Sequence, residues 1–578
     1  MEKIRKLLGL GVIVSVLAIW AIAGCGGEQE ERQSAKLPDA AEALPLLEQV
    51  PENTQVLVKF EGLEELYAQF AVTQNSVLGV SVEQKDIDRM NTALGFNLLN
   101  LQEVGQAGFD PAKPICLAVS NIRVNAAETR QTDFDILALL PVSDGEAAMN
   151  TLRAALEKEN VVVAEAEKNG RSYLKWRYPE AEGAMAVKDE YLYMAVNSDN
   201  DPQAFLDSAM ENNASLADAE AFQEVAADTD FTRGLAAYFN IADIVEANAE
   251  QIGQAAAGGS DSAAETRQMI QSLKQYSAGT MTADFGSPDF TLDTIVSLVP
   301  DADIKKVWSP DRINRDKVLG IADPAALLLS FGADMMQYYE MITDIMPPEQ
   351  FASVAGRMQE FKQNSGIDPE TELLGNLSGS MNLALYDGAS ITLMNYNALF
   401  TAGVKDERVM ENVIEKFIKV LPPDKQAMIS RREVGGTDAY VINAGFTQVY
   451  MGIDDNKFII ASGKPLYEKA LGGKKDQGFA ANLVDDQLKR SIMGQRNLFY
   501  LNMDEVVKTV NNFAMFLMES AGGEQKFRER LHAAGKFNYV LATSELEKDL
   551  VKSMFTIKTR FTEPFFVETA RMVDDLQQ

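Results

Sequence analysis

Few residues in this chain can do covalent or metal chemistry. Its 578 residues include two cysteines, Cys25 and Cys116, and one histidine, His532. A single imidazole leaves no HExxH pair and no zinc site assembled from several Cys and His ligands. His532 stands in RERLHAAGKF between Leu531 and Ala533, and reads as a surface or helix-end residue. No GxxxxGK[ST] loop and no calcium-loop spacing occur. Carboxylates are abundant, but pairs such as Asp454-Asp455, Asp485-Asp486 and Asp574-Asp575 read as solvated turns or chain ends. Two carboxylates meeting only in space could still hydrolyse an envelope polymer, so a carboxylate-dependent hydrolase stands as the enzymatic alternative. Cys116, inside the apolar run PICLAVS, reads as a small buried hydrophobe. No catalytic, metal-ligating or cofactor-binding residue is assigned.

Cys25 is different, because of what precedes it. MEKIRK supplies Lys3, Arg5 and Lys6, and an uninterrupted apolar run follows from Leu7 to Gly24. A basic start followed by an apolar stretch is the layout of an export signal. The run ends in Ile22-Ala23-Gly24-Cys25, which resembles the lipobox of bacterial lipoprotein signal peptides. That resemblance implies cleavage after residue 24, a thioether lipid on Cys25 with palmitate-type chains, and a membrane partner reached through that lipid. Gly26 in place of an aspartate resembles cargo sorted to the outer membrane, facing the periplasm. Residues 25–45, with GGEQEERQSAKLPDA, read as a polar tether. A retained N-terminal helix is the competing reading, and it too tethers the body to a membrane.

Composition sets the limits for the rest. With 85 acidic and 53 basic residues the net charge is -32, which repels nucleic acid. Because Cys116 is the one cysteine besides Cys25, a lipidated chain has no disulfide framework and must rely on apolar cores. The 46% apolar content is enough for several.

The elements repeat. Gly108-Phe109-Asp110-Pro111 recurs as Gly366-Ile367-Asp368-Pro369, and each copy leads into an apolar strand, PICLAVS or GSMNLALYDG. FDILALLPVSDGEAAMNTLRAAL from Phe134 parallels YNALFTAGVKDERVMENVIEKFI from Tyr396, a strand, a turn with Asp144 or Asp406, and an amphipathic helix. AMAVKDEYLYMAV parallels YMGIDDNKFIIAS, and AYFNIADIVE parallels FYLNMDEVVK, with Asn240 matching Asn502. We expect residues 46–320 and 321–578 to be a tandem duplication. Each copy should run β-α-(α)-β-β-α-β-β-β-α-β-α-β-β, with helices packed on one face of a mostly antiparallel sheet, an α+β fold. The two aspartates should fix proline turns, and the two asparagines should cap helices. The stretch at 257–263, rich in Gly, Ser and Ala, reads as a loop in the first copy.

The Pro51 segment PENTQVLVKF, the Gly-Phe-Asp-Pro turn and the AYFN segment together resemble bacterial envelope proteins grouped as the domain of unknown function DUF3352. The resemblance implies exported, repeated α+β modules and carries no active site. The leading expectation is a non-enzymatic envelope lipoprotein that binds an envelope protein or an apolar ligand. Its support includes 28 Phe, 24 Met and 16 Tyr, which could line a groove as well as cores. A purely structural envelope protein is the other alternative.

Overall fold

The computed structural model describes residues 45–577, apart from 126–130, 198–200, 250–270, 309–324, 387–396, 472–487, 519–523 and some shorter stretches. The lipobox, the tether before Pro45, Asp485-Asp486 and the 257–263 loop all lie outside the described residues. Two compact units emerge. The first runs to Val299 and takes back the chain from Phe561 onward; the second is Pro300–Arg560. The return has a packing cause. On the last helix, Phe565–Gln577, Phe565 packs tilted at 5.6 Å and Phe566 edge-on at 6.0 Å against Phe290, and Phe566 stacks on Phe70 at 5.0 Å.

The first unit contains β1 (Val56–Phe60), a short β2–β3 hairpin (Ser76–Val77, Val80–Ser81), β4 (Ile115–Asn125), β5 (Gln131–Pro141), β6 (Val162–Lys168), β7 (Arg171–Tyr178), β8 (Ala181–Lys188), β9 (Tyr191–Asn197), β10 (Leu235–Asn240), β11 (Tyr276–Asp284) and β12 (Phe290–Leu298). The second contains β13 (Ala325–Gly332), β14 (Leu377–Tyr386), β15 (Asn397–Val404), β16 (Ile429–Val434), β17 (Thr437–Asn443), β18 (Gln448–Asp454), β19 (Lys457–Ser462), β20 (Asn497–Asn502), β21 (Phe537–Glu547) and β22 (Leu550–Thr559).

The pairings match one for one. In the first unit the order is β6-β7-β8-β9-β5-β4-β1-β10-β11-β12, every pair antiparallel. In the second it is β16-β17-β18-β19-β15-β14-β13-β20-β21-β22, again antiparallel throughout. This is a duplicated α+β fold. The sequence order has three strands after the long helix, whereas the structure has four. β6 and β16 lie at sheet edges and are largely exposed, so their polar sequences VVAEAEK and ISRREV carry little burial pattern.

Opposed residues in a ladder share a face, so register maps one unit onto the other. Leu57 faces Ala118 and Tyr238, as Leu328 faces Ala384 and Tyr500. Lys59 faces Cys116, and Ser330 faces Asn382. The long helices Gly145–Lys158 and Glu407–Val420 start alike, with Asp144 and Asp406 accepting hydrogen bonds from the first-turn amides. Each lies over apolar residues of the outer strands, Leu174, Met185 and Leu192 in one unit, Tyr440, Met451 and Phe458 in the other. A second helix, Pro202–Met210 or Lys464–Ala470, packs on β8 and β9 or on β18 and β19. It covers the opposite face, since Tyr173 contacts Asp207 of that helix while the adjacent Leu174 points to the first.

The repeated turns behave as their residues require. Asp110 Oδ1 accepts from the Ala112 amide, and Asp368 Oδ1 from those of Glu370 and Thr371. Asn240 caps its helix through Asp243, and Asn502 does so through Asp504 and Glu505. Both preceding glycines have positive φ, +95° at Gly108 and +69° at Gly366. Between Asp368 and β14 the second unit inserts a π-helical turn, Pro369–Leu373, and a 3₁₀ turn, Leu374–Asn376. Asn376 then bonds both backbone groups of Asp406, which ties the insertion to the long helix.

Candidate functional site

Cys116 is fully buried in β4, and burial pushes its thiol up to about 12, with the nearby Lys59 charge pulling the other way. His532 is exposed on the helix Glu524–Ala534. Asp454 and Asp455 sit at the β18–β19 turn, where Asp455 has φ 49°. Among the described residues no group of His, Cys, Asp and Glu could hold a metal.

Several carboxylates are held by cations and donors. Asp207 accepts from Tyr173 Oη at 2.6 Å and Lys168 Nζ at 2.5 Å. Burial alone would raise its pKa, but these two donors outweigh it and hold the carboxyl below its ordinary range. Arg233 pairs with Asp293 and lies 3.6 Å from Asp230. Glu372 receives Lys416 at 2.7 Å, and that bond keeps it ionised. Asp243 has its pKa raised, through burial and then Glu246. Asp243 and Glu246 are exposed one turn apart on a single short helix.

The centres of the two sheets differ in content. In the first unit Lys59 is 2% exposed; its Nζ donates to Glu61 at 2.7 Å and to the Arg233 carbonyl at 2.9 Å. The second unit has a neutral chain at the corresponding place. Ser330 Oγ donates to Asn382 Oδ1 at 2.7 Å, and Asn382 Nδ2 donates to Thr401 at 3.1 Å. Both arrangements satisfy their polar atoms internally, so neither offers a free donor set to a ligand.

The contrast at the surface is larger. Nine large hydrophobics are exposed among the described residues, and eight of them belong to the second unit: Phe331, Tyr338, Phe351, Phe361, Leu385, Phe417, Val420 and Val510. Phe417 and Val420 lie on the helix Glu407–Val420, 47% exposed each. By register and cap their counterparts in the first unit are Ala155, which is buried, and Lys158. At these two positions the sister helix carries a buried alanine and a lysine instead.

A second helix continues this surface. Pro348–Ser365 packs against the helix Glu407–Val420 and the π turn. Its apolar positions Phe351, Val354, Met358 and Phe361 recur at helical spacing and form one stripe. The middle of the stripe, Val354 and Met358, is half-buried against the protein, and Phe351 and Phe361 at its margins are 42% and 37% exposed. The helix Met335–Ile345, capped by Asp334, contributes Tyr338. Sequence inspection alone missed this site, because the same stripe on any helix normally faces a core.

The fold and this surface define a class: a duplicated antiparallel α+β protein whose second unit exposes several large apolar side chains among the described residues. The chain belongs to a family of proteins of unknown function, DUF3352, whose model matches residues 113–537, about three-quarters of the length. No curated protein matches it. Crystal forms I and IV of TP0453 are similar at 12% and 11% identity, covering 44% of this chain and 79% and 81% of that one, with TM-scores of 0.23 and 0.24. A likeness of that size carries no functional argument. Among the described residues no helix is long and apolar enough to cross a membrane.

Proposed function

We propose that this protein is a non-enzymatic lipoprotein of the bacterial cell envelope, anchored through lipid on Cys25, whose second unit binds an apolar partner through its helical layer. The observation that carries the reading is the asymmetry between duplicates: Phe417 and Val420 stand exposed where the sister helix has Ala155 and Lys158. Isolated surface hydrophobics are ordinary, but a set on adjoining helices marks an interaction surface. The fully buried Cys116 supports a binding role over thiol catalysis. The segment Ile22-Ala23-Gly24-Cys25 supports the anchor, and sorting to the outer membrane follows from Gly26 by the same resemblance.

Two measurements test this. Labelled palmitate should enter the wild-type chain and be absent from Cys25→Ser; label retained by the variant refutes the anchor. A benzoylphenylalanine crosslinker placed at Phe417 in cells should give a defined adduct by mass spectrometry, whereas the same probe at Lys158 should give none. Identical adducts at both positions, or none at Phe417, refute the binding surface.

A further inference from the structure

We infer that the two copies exchange the segments that follow their last strands, so that residues 561–577 are a clasp closing the first unit and residues 300–308 the matching clasp of the second. The inference is independent of the anchor and of the partner proposed above.

Register fixes where each copy ends. In the closing hairpins Tyr276 opposes Leu298, and Phe537 opposes Thr559. One residue further on, the Val299 amide donates to the Gln275 carbonyl at 3.0 Å, as the Arg560 amide donates to the Lys536 carbonyl at 2.8 Å. Val299 and Arg560 are therefore equivalent positions. Each is also the last residue before the chain passes from one compact unit to the other. Two crossings at one equivalent position make an exchange.

Both crossing segments dock on the same two features. Beyond Val299, the helix Ile304–Val307 packs against Met335–Ile345, the helix that follows β13. The Val307 carbonyl accepts from the Asp334 amide at 2.7 Å, Trp308 forms an antiparallel bridge with Ala333, and Lys305 Nζ lies 2.5 Å from Asp549 in the turn between β21 and β22. Beyond Arg560, the helix Phe565–Gln577 packs against Leu63–Gln69, the helix that follows β1. The Phe565 amide donates to the Ser287 carbonyl at 3.0 Å in the turn between β11 and β12, and Phe566 stacks on Phe70. Each tail thus holds the first helix and the final turn of the copy it does not belong to.

These contacts close the units. Ala302 and Val307 are buried in one, and Phe561, Phe565 and Val567 in the other, so detaching either tail exposes apolar surface on both the tail and its seat. The layout is that of a segment-exchanged dimer fused into one chain. Its consequence is non-local, because damage to a tail loosens the other copy.

The test is hydrogen exchange followed by mass spectrometry, on the full chain carrying Phe566→Ala and on a chain ending at Arg560. Both should exchange about ten-fold faster at residues 63–70 and 286–290, with 537–559 unchanged. Adding a synthetic peptide of residues 561–578 to the shortened chain should restore protection at those two segments. In the reciprocal variant, Val307→Ala, residues 335–345 should exchange faster while 276–298 hold. Loss of protection at 537–559 with 63–70 and 286–290 intact overturns the inference, as does an unchanged pattern in Phe566→Ala. A shortened chain that loses protection throughout and is not restored by the peptide overturns it too, unless Phe566→Ala in the full chain gives the localised pattern, which by itself upholds it.

Discussion

The two units share ten strands in one order and differ in how they finish the same frame. In the first the central strand buries even a lysine, and the long helix ends in small or charged residues. The second keeps a neutral polar centre and leaves its helical layer apolar and uncovered. Duplication makes that difference informative, because the shared frame supplies an internal control for each position. Stability requirements are common to both copies, and the exposed phenylalanines are not among them.

The largest expected effects concern positions where one copy is constrained and the other is not. A Cβ on Gly108 would lie 2.4 Å from the Ala148 amide nitrogen and 2.5 Å from the Asp144 carbonyl, whereas one on Gly366 meets nothing within 4 Å. Gly108→Ala should therefore cost about 3 kcal/mol or more, and Gly366→Ala about 1 kcal/mol for the left-handed backbone alone. Urea unfolding of each variant measures this. Equal costs would dissolve the distinction between the turns.

The sheet centres follow in magnitude. Glu61→Ala leaves the buried Lys59 ammonium with one carbonyl and should destabilise by about 3 kcal/mol, while Lys59→Met should be close to neutral. In the second unit Asn382→Ala breaks the chain from Ser330 to Thr401 and should cost about 2 kcal/mol. A Lys59→Met variant as damaged as Glu61→Ala would mean the ion pair stabilises outright.

A smaller effect concerns pH. Asp207 has its carboxyl held low in the folded state, so its contribution is complete above the ordinary carboxylate pKa and is lost as pH falls through the lower folded value. Tyr173→Phe removes one of its donors and should flatten acid unfolding below about pH 4. An unchanged acid limb in this variant would show that Lys168 alone holds the charge. The least effect on stability belongs to Val420→Lys, which copies Lys158 and should stay within about 0.5 kcal/mol, yet abolish the crosslinks expected of the layer.

Much of the frame was legible before the structure. Repeated Gly-x-Asp-Pro turns, the Asp144 and Asp406 caps and the Asn240 and Asn502 caps all encode local hydrogen bonding, which short motifs specify. The edge strands β6 and β16 were harder, since a strand exposed on both faces shows no apolar alternation. The candidate site was not legible at all. Phe351, Val354, Met358 and Phe361 announce an amphipathic helix, but periodicity says only that one side is apolar, and burial depends on what stands opposite. Only register, which sets Phe417 against Ala155 and Val420 against Lys158, separates a core face from an open one.

The central claim, that the second unit alone turns an apolar layer to a partner, is met most directly by hydroxyl-radical footprinting of the full chain in its native envelope and again after purification. The account predicts strong envelope-dependent protection at Phe351, Phe361 and Phe417, and unchanged reactivity along the sister helix Gly145–Lys158. Equal protection of both helices, or none at these phenylalanines, would contradict it.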